Sequence, residues 1–268
     1  MTFAQELNAQ HKSTLAGVTR CVVLVSFLIL VTAKIMLAQA FRSPDTTYAD
    51  GSNKIQVYKE LDLTVLSVHH GFEYVFIAKN VAPFAAMARE KNFRFMINAS
   101  FFDGDRLDAQ PSGWLHILGA SYGSVWDNRQ LTHIVRYDTI TGKTDIVSSN
   151  LFKPSETNHT IEFQTGPLII RQNCIDTALI ANSINGPGKY TRTLLAIGGT
   201  GELWFVTVRK PVALDSLGAY LLTLSPFQQK RIDVVNLDGG PSVAFYSRAF
   251  PTLNYNVDDR LPLLLGVK

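Results

Sequence analysis

Cysteine is almost absent from this sequence. Its 268 residues include two, Cys21 and Cys174. Cys21 lies in an apolar leader, and the Val18-Thr19-Arg20 before it does not resemble a lipoprotein processing site. Cys174 therefore has no second thiol to pair with in the rest of the chain, which excludes a disulfide-stapled fold. It reads as a small buried hydrophobe. The six histidines show no zinc-ligand spacing, and no G-x-S-x-G elbow is present. The glycine-rich run GGTG at 198–201 lies between two strand-like segments, not between a strand and a helix, so it is not a phosphate loop. Charge is sparse too, at 18% of residues with a net of +3. Lys12, Arg20 and Lys34 against Glu6 put two of those charges in residues 1–40, which leaves +1 for residues 41–268. That balance carries no electrostatic footprint for nucleic acid.

What is present begins with a targeting signal. Lys12 and Arg20 precede the uncharged run CVVLVSFLILVTA at 21–33, and Ala38-Gln39-Ala40 fits the small-x-small rule for leader cleavage. Residues 1–40 thus read as a signal peptide. Residues 21–41 also have nearly the length of a membrane anchor, about 20 residues, although Lys34 would sit at depth. Either way the protein is expected outside the cytoplasm, in the periplasm or beyond. Residues 41–54, polar with Pro44 and Gly51, read as a linker, and 55–268 as one domain without repeats or low-complexity tracts.

Strand signals dominate that domain. LTVLSV (63–68) and EYVFIA (73–78) suggest a hairpin closed by His69, His70 and Gly71. FRFMINA (93–99) is a strand running into a polar turn. Residues 134–148 form a second hairpin around Gly142, and 193–208 a third around GGTG. RIDVVNL (231–237) and LPLLLGV (261–267) complete the set. Helices are few. Residues 83–91 form one, with Asn80 as cap, and 216–227 another, with Ser216 as cap and Pro226 near its end. The pattern predicts an α+β fold with a mixed, mostly antiparallel β-sheet core and a few packed helices.

The polar residues gather at strand exits. In VVNLDGGPSVAFY (234–246), Asn236 and Asp238 leave one apolar run, Gly239 and Gly240 permit close backbone approach, and Ser242 adds a hydroxyl. A carboxylate held there suits catalysis; an Asp-Gly-Gly turn whose Asp caps its own backbone is the plainer alternative. MINASFFDGD (96–105) repeats the architecture. Asn98 ends a strand, and Phe101 and Phe102 suit either a sugar face or core packing. Asp103, Asp105 and Asp108 lack the remaining features of a calcium loop. QPSGWLHI (110–117) and FQTGPLII (163–170) could each bring backbone amides to a pocket rim. Arg192, before the strand TLLAIG, suits a surface ion pair or, near a pocket, a phosphate clamp.

In this order the segments resemble the phosphodiester glycosidase family, which includes the mannose 6-phosphate uncovering enzyme and exported bacterial proteins. The resemblance rests on Asn98 to Phe102, Pro111 to Gly113, Gln164 to Leu168, Arg192-Thr193 and Asn236 to Ser242. Ala99-Ser100 stands where the family has two glycines, and Pro241 replaces a frequent glycine. The resemblance implies an exported hydrolase cleaving a sugar-1-phosphodiester at the glycosidic carbon, without cofactor or metal. Asp238, Asn98 and Arg192 would carry catalysis. Gln164, Asn236, Gly239, Gly240, Ser242 and Phe102 would bind a glycan or sugar-phosphate substrate. A non-catalytic binder of glycan phosphodiesters is the alternative, and a metal-dependent hydrolase using Asp103, Asp105 and Asp238 a third. The leader reading is tested by N-terminal sequencing of the envelope-located protein. The expected first residue is Phe41, and recovery of residues 1–40 from membranes would replace cleavage with anchoring.

Overall fold

Long apolar runs need cover on both faces, and here they find it. The computed structural model describes residues 41–268 apart from positions 70, 80, 104–107, 156, 185 and 229; the leader and the expected cap Asn80 lie outside the described residues. Eight strands form the largest sheet, in the order β1 (Thr46–Asp50), β2 (Asn53–Tyr58), β3 (Leu63–Val68), β16 (Leu203–Val212), β15 (Tyr190–Gly198), β17 (Ile232–Asn236), β13 (Leu168–Arg171) and β14 (Cys174–Ile175). A second sheet runs β11 (Thr144–Ser148), β10 (His133–Asp138), β12 (Thr160–Thr165), β8 (Leu115–Ile117), β9 (Ala120–Tyr122). The third runs β18 (Phe245–Ser247), β5 (Phe95–Asn98), β19 (Leu263–Val267), β4 (Glu73–Phe76), and β6 (Phe102–Asp103) pairs with β7 (Gln110–Pro111). Among the described residues every strand pairing is antiparallel.

Successive side chains of a strand point to opposite faces. Leu195, Ile197, Phe205 and Val235 turn to a core shared with Phe95, Ile97, Leu115, Val135 and Phe163 of the second and third sheets. Their neighbours Leu194, Ala196, Val206 and Val234 turn the other way. There they meet Leu214, Leu217 and Leu221 of one helix (Leu214–Leu221) and Ile180 of a shorter one (Thr177–Asn182). A third helix (Phe84–Glu90) covers the outer face of the third sheet, where Phe84 and Met87 pack on Phe93, Met96 and Leu264. In chain order these are α1 (Phe84–Glu90), α2 (Thr177–Asn182) and α3 (Leu214–Leu221). Residues 43–268 make one unit of helix, sheet, sheet and helix.

Several expectations give way. Residues 46–54, read as linker, enter a β1–β2 hairpin at the edge of the large sheet, with Asp50 opposite Asn53. The 63–68 and 73–78 segments do not pair. β3 joins β2 and β16, whereas β4 joins β19 in the third sheet, so the connection through Gly71 crosses between layers. The expected helix 216–227 starts earlier and stops at Leu221; Ser216 lies inside it, and Pro226 sits in a separate 3₁₀ turn. Cys174 is exposed, not buried, because it falls on the edge strand β14. Gln172 and Asn173, both at positive φ, form the tight turn that leads into it.

The junction of β12 with β13 carries a titrating group. His133 is buried on β10, its Nδ1 2.8 Å from Thr132 Oγ1 and its Nε2 3.0 Å from Arg171 Nη2. Arginine can only donate, so Nε2 accepts and the proton sits on Nδ1. Burial, reinforced by the Arg171 charge, pushes the His133 imidazole down to about 4, against a small opposing pull from Asp176. An unfolded chain takes up that proton below 6.5, the folded chain only below about 4. The stabilisation is therefore complete above pH 6.5 and lost as pH falls from 6.5 to about 4. It amounts to about 3 kcal/mol. Urea unfolding of wild type and His133→Asn at pH 7 and pH 4.5 measures it. Wild type should lose more stability across that interval than the variant, whose carboxylates titrate in the same way.

Candidate functional site

A cavity of about 260 Å³ opens where the three main sheets meet. Arg192 enters it from the start of β15, Asn236 from the end of β17 and Asp238 from the turn that follows. Phe101, Gln130 and Tyr190 complete its walls. Two neighbouring strands, β15 and β17 with the turn after it, thus deliver a guanidinium, an amide and a carboxylate to a single space. Among the described residues Asp238 is the one carboxylate lining it.

Asn98 holds these strands together from behind. It ends β5 and is 2% exposed. Its Nδ2 donates to the Asp238 carbonyl at 2.8 Å, and its Oδ1 accepts from Thr193 Oγ1 at 2.7 Å and from the Ala244 amide at 3.2 Å. Thr193 follows Arg192 on β15, so one amide ties the neighbour of the cation to the backbone of the carboxylate. Asn98 does not itself line the cavity. The turn is secured twice more, by Asp238 N to Ala99 O at 3.0 Å and Leu237 N to Thr193 O at 2.8 Å. Asp238 Oδ1 accepts from the Gly239 amide at 2.9 Å. The turn-capping geometry is therefore present, on a carboxylate that also faces the cavity.

The residues after Asp238 are dictated by contact. A Cβ on Gly239 would lie 2.7 Å from the Thr191 carbonyl, so that position admits no side chain without displacing β15. Gly240 takes φ +59°, a region costly for residues with a Cβ, and its carbonyl accepts from Thr191 Oγ1 at 2.7 Å. Pro241 lies in the first turn of a 3₁₀ helix at Gly240–Ser242, where no amide donor is required. The Ala99-Ser100 pair is also absorbed locally. Ser100 Oγ lies 2.5 Å from the hydroxyl of Tyr74, whose ionisation burial pushes up strongly; the Ser100 hydrogen bonds oppose that rise, and the nearby Asp238 charge adds to it.

Arg192 is 3% exposed, which rules out a surface ion-pair role. Its Nη2 donates to Gly188 O at 2.7 Å and its Nε to Val212 O at 3.4 Å. The Tyr190 ring lies over the guanidinium, 5.1 Å from centroid to Cζ. Desolvation pushes Arg192 down to about 10, with a smaller opposing pull from Tyr190. Burial makes that charge costly, and an anion entering the same cavity offsets the cost.

The other candidates divide. Gly239 and Gly240 line the cavity; Ser242 is buried outside its lining. Gln164 is fully buried and already committed. Its two Nε2 hydrogens are shared among Trp126 O, Leu131 O and Ser149 Oγ at 2.6–3.1 Å, and its Oε1 accepts from the Trp114 and Trp126 amides. It fixes the loop that carries Gln130 and has no capacity left for substrate. Phe102 packs against the core, and its neighbour Phe101 takes the wall instead, since adjacent side chains diverge. Asp103 is exposed on β6 away from the cavity, and Asp105 lies outside the described residues. Among the described residues no cluster of three or more His, Cys, Asp or Glu side chains could hold a metal ion. Of the two Gly-containing turns, 163–170 reaches the rim through Gly166 and Pro167, and 110–117 does not. Gln130 and Tyr190 had no signal in the sequence, because each reaches the cavity only through the fold.

A family model described as phosphodiester glycosidase matches residues 91–265, well over half of the chain. No curated protein sequence matches it. Among solved structures, the fold is similar to the catalytic domain of zebrafish N-acetylglucosamine-1-phosphodiester alpha-N-acetylglucosaminidase, auto-inhibited by its pro-peptide. That likeness has a TM-score of 0.54 at 15% identity, over 83% of this chain and 80% of that one. A candidate exported protein from Burkholderia pseudomallei K96243 matches with a TM-score of 0.53 at 10% identity, over 81% and 75%. A hypothetical protein from Synechocystis matches at 0.50 and 12% identity, over 82% of this chain and 60% of that one.

The Asn98 junction makes a measurable demand. Asn98→Ala leaves three buried groups without partners and should cost about 2–4 kcal/mol, within the range for unsatisfied buried hydrogen-bonding groups. Asn98→Asp keeps the acceptor but turns a carboxylate oxygen toward the Asp238 carbonyl, and should cost at least as much. Chemical denaturation midpoints of both variants decide; wild-type stability in either would show that the junction holds without the amide.

Proposed function

The chain belongs to the phosphodiester glycosidase family, and from that premise we propose that it is a hydrolase cleaving the glycosidic bond of a sugar-1-phosphodiester in an envelope or extracellular glycan. The observation that carries this reading is the meeting of Asp238, Arg192 and Asn236 in one cavity. Cleavage of a glycosyl phosphate places positive charge on the anomeric carbon while negative charge gathers on the departing phosphate. Asp238 meets the first and Arg192 the second. The leaving group is a phosphate ester, stable as an anion, so it needs less protonation than an alcohol would. A single carboxylate with a buried cation opposite is chemically sufficient. Asp238 drives the displacement either by taking a proton from water or by bonding the anomeric carbon, and the anomeric configuration of the released sugar separates the two routes.

The remaining walls fit the same substrate. Phe101 offers an apolar face to a sugar ring, and Tyr190 keeps the guanidinium in place by stacking. Gly239 and Gly240 let the backbone come close to the ligand. The leader-like sequence of residues 1–40 supports action outside the cytoplasm. No helix among the described residues is long and apolar enough to cross a membrane.

Two variants test this reading. Asp238→Asn preserves the shape of the turn and removes the charge, so turnover should vanish while the melting curve stays close to that of wild type. Retained turnover would make Asp238 only a turn cap, and tight binding of the phosphodiester by wild type without any turnover would make the protein a binder. Arg192→Lys keeps a charge and loses the planar fork. It should lower kcat/KM on phosphodiesters about ten- to a hundredfold, the worth of a charge-assisted hydrogen bond. An activated aryl glycoside of the same sugar has no phosphate to hold and should lose much less. Equal losses on both substrates would show that Arg192 supports the site without reading phosphate.

A further inference from the structure

The Asn236 side chain has one unmet requirement. It lines the cavity and is 3% exposed. Its Nδ2 donates to Gly166 O at 3.0 Å and to Leu237 O at 2.7 Å, which uses both amide hydrogens. Its Oδ1 is buried without a hydrogen-bond partner. Flipping the amide cannot cure this, because the oxygen would then face two carbonyl acceptors. The backbone is equally fixed. Asn236 N donates to Pro167 O at 3.0 Å, and Asn236 O accepts from Gly166 N at 3.0 Å and Thr165 Oγ1 at 2.7 Å. A rigid residue thus presents a single acceptor whose donor is missing, and buried acceptors of this kind are rarely left unmet.

We infer that Asn236 is a specificity-determining residue whose Oδ1 accepts a hydrogen bond from a hydroxyl or amide N–H on the sugar ring of the substrate. The inference rests on the phosphodiester reading above and narrows its substrate class. At neutral pH a phosphodiester group has only acceptor oxygens, and a ring ether oxygen is likewise an acceptor. Neither satisfies Asn236. The cavity is therefore polarised, with acceptors on Asn236 and Asp238 at the sugar end and the Arg192 guanidinium at the phosphate end. A substrate whose sugar carries a donor at the position meeting Asn236 is selected, and one that is deoxygenated or alkylated there is rejected. Sites built around a substrate hydroxyl reject analogues lacking it strongly, because the partner is left unpaired.

The test compares the parent phosphodiester with analogues deoxygenated or fluorinated at each ring position in turn. One position should exist at which wild type loses about ten- to a hundredfold in kcat/KM on deoxygenation. Fluorine should not restore activity there, since it cannot donate. Asn236→Ala should lose a similar factor on the parent and then be indifferent to that same deletion. The structure of Asp238→Asn bound to the intact parent provides a second measurement that does not depend on the folding of the Asn236 variant. A sugar donor should lie about 3 Å from Asn236 Oδ1. A bound complex with no substrate donor near that oxygen overturns the inference, as does an Asn236→Ala variant that loses the same factor on every analogue. If wild type turns over the parent but no analogue couples to Asn236, this inference alone fails. If wild type does not turn over the parent, both readings fail together.

Discussion

One amide, that of Asn98, stands where three strands from different parts of the chain must agree. Its Nδ2 holds the carbonyl of Asp238, and its Oδ1 holds the hydroxyl of Thr193 and the amide of Ala244. A polar group buried to this depth is tolerable only when its bonds are made, so the third sheet, β15 and the turn after β17 are fixed relative to one another. Two of the three partners stand beside a cavity residue or belong to one. Thr193 follows Arg192, and the Asp238 carbonyl sits on the backbone of the carboxylate itself. Fold stability and site geometry share this junction, and Asn98 braces the cavity without lining it.

The cavity shows how a layered sheet brings charged groups to one place. Strand ends are rigid, because the ladder holds the backbone up to the last paired residue. Leu194 opposite Asn236 is such a pair. Beyond it the chain is free to place a short polar group, and the Gly239-Gly240 step lets that group stay against β15 at Thr191. The guanidinium comes from the start of β15 and is buried under Tyr190, where desolvation makes its charge costly. An anion raises the value of that buried cation more than it would at the surface, since little water screens the pair. The same reasoning sets the neutral His133 apart from the site. Its imidazole is bound to Arg171 and Thr132 and belongs to β10, inside the second sheet.

Much of the architecture was legible from local pattern. The hairpins around Gly142 and GGTG needed only two strand-like apolar runs joined by a glycine-containing turn, and both occur, with Gly142 at φ +71°. The failures have one physical origin. A strand shows its own periodicity but not its partner, so 63–68 and 73–78 were legible as strands and illegible as members of different sheets. Polar edge strands such as β1 lack an apolar signature, because one side of an edge faces water, and they resemble linkers. Cys174 failed for the same reason.

The sequence by itself determined the motif positions: Asn98, Arg192, Asn236, Asp238 and the two glycines all lie at strand ends or turns, where residue type reports backbone demand. It also determined that two faces of the large sheet would be buried, since β15, β16 and β17 are apolar without alternation. Only the tertiary structure decided which polar residues keep bonding capacity for a ligand. Gln164 and Asn98 have the same chemistry as Asn236, and all three are buried amides. The first two spend their capacity on carbonyls, amides and hydroxyls brought from elsewhere in the chain, and Asn236 retains an unpartnered oxygen. Hydrogen-bond capacity is exhausted by neighbours in space, and the identity of those neighbours is a property of packing that no single segment contains.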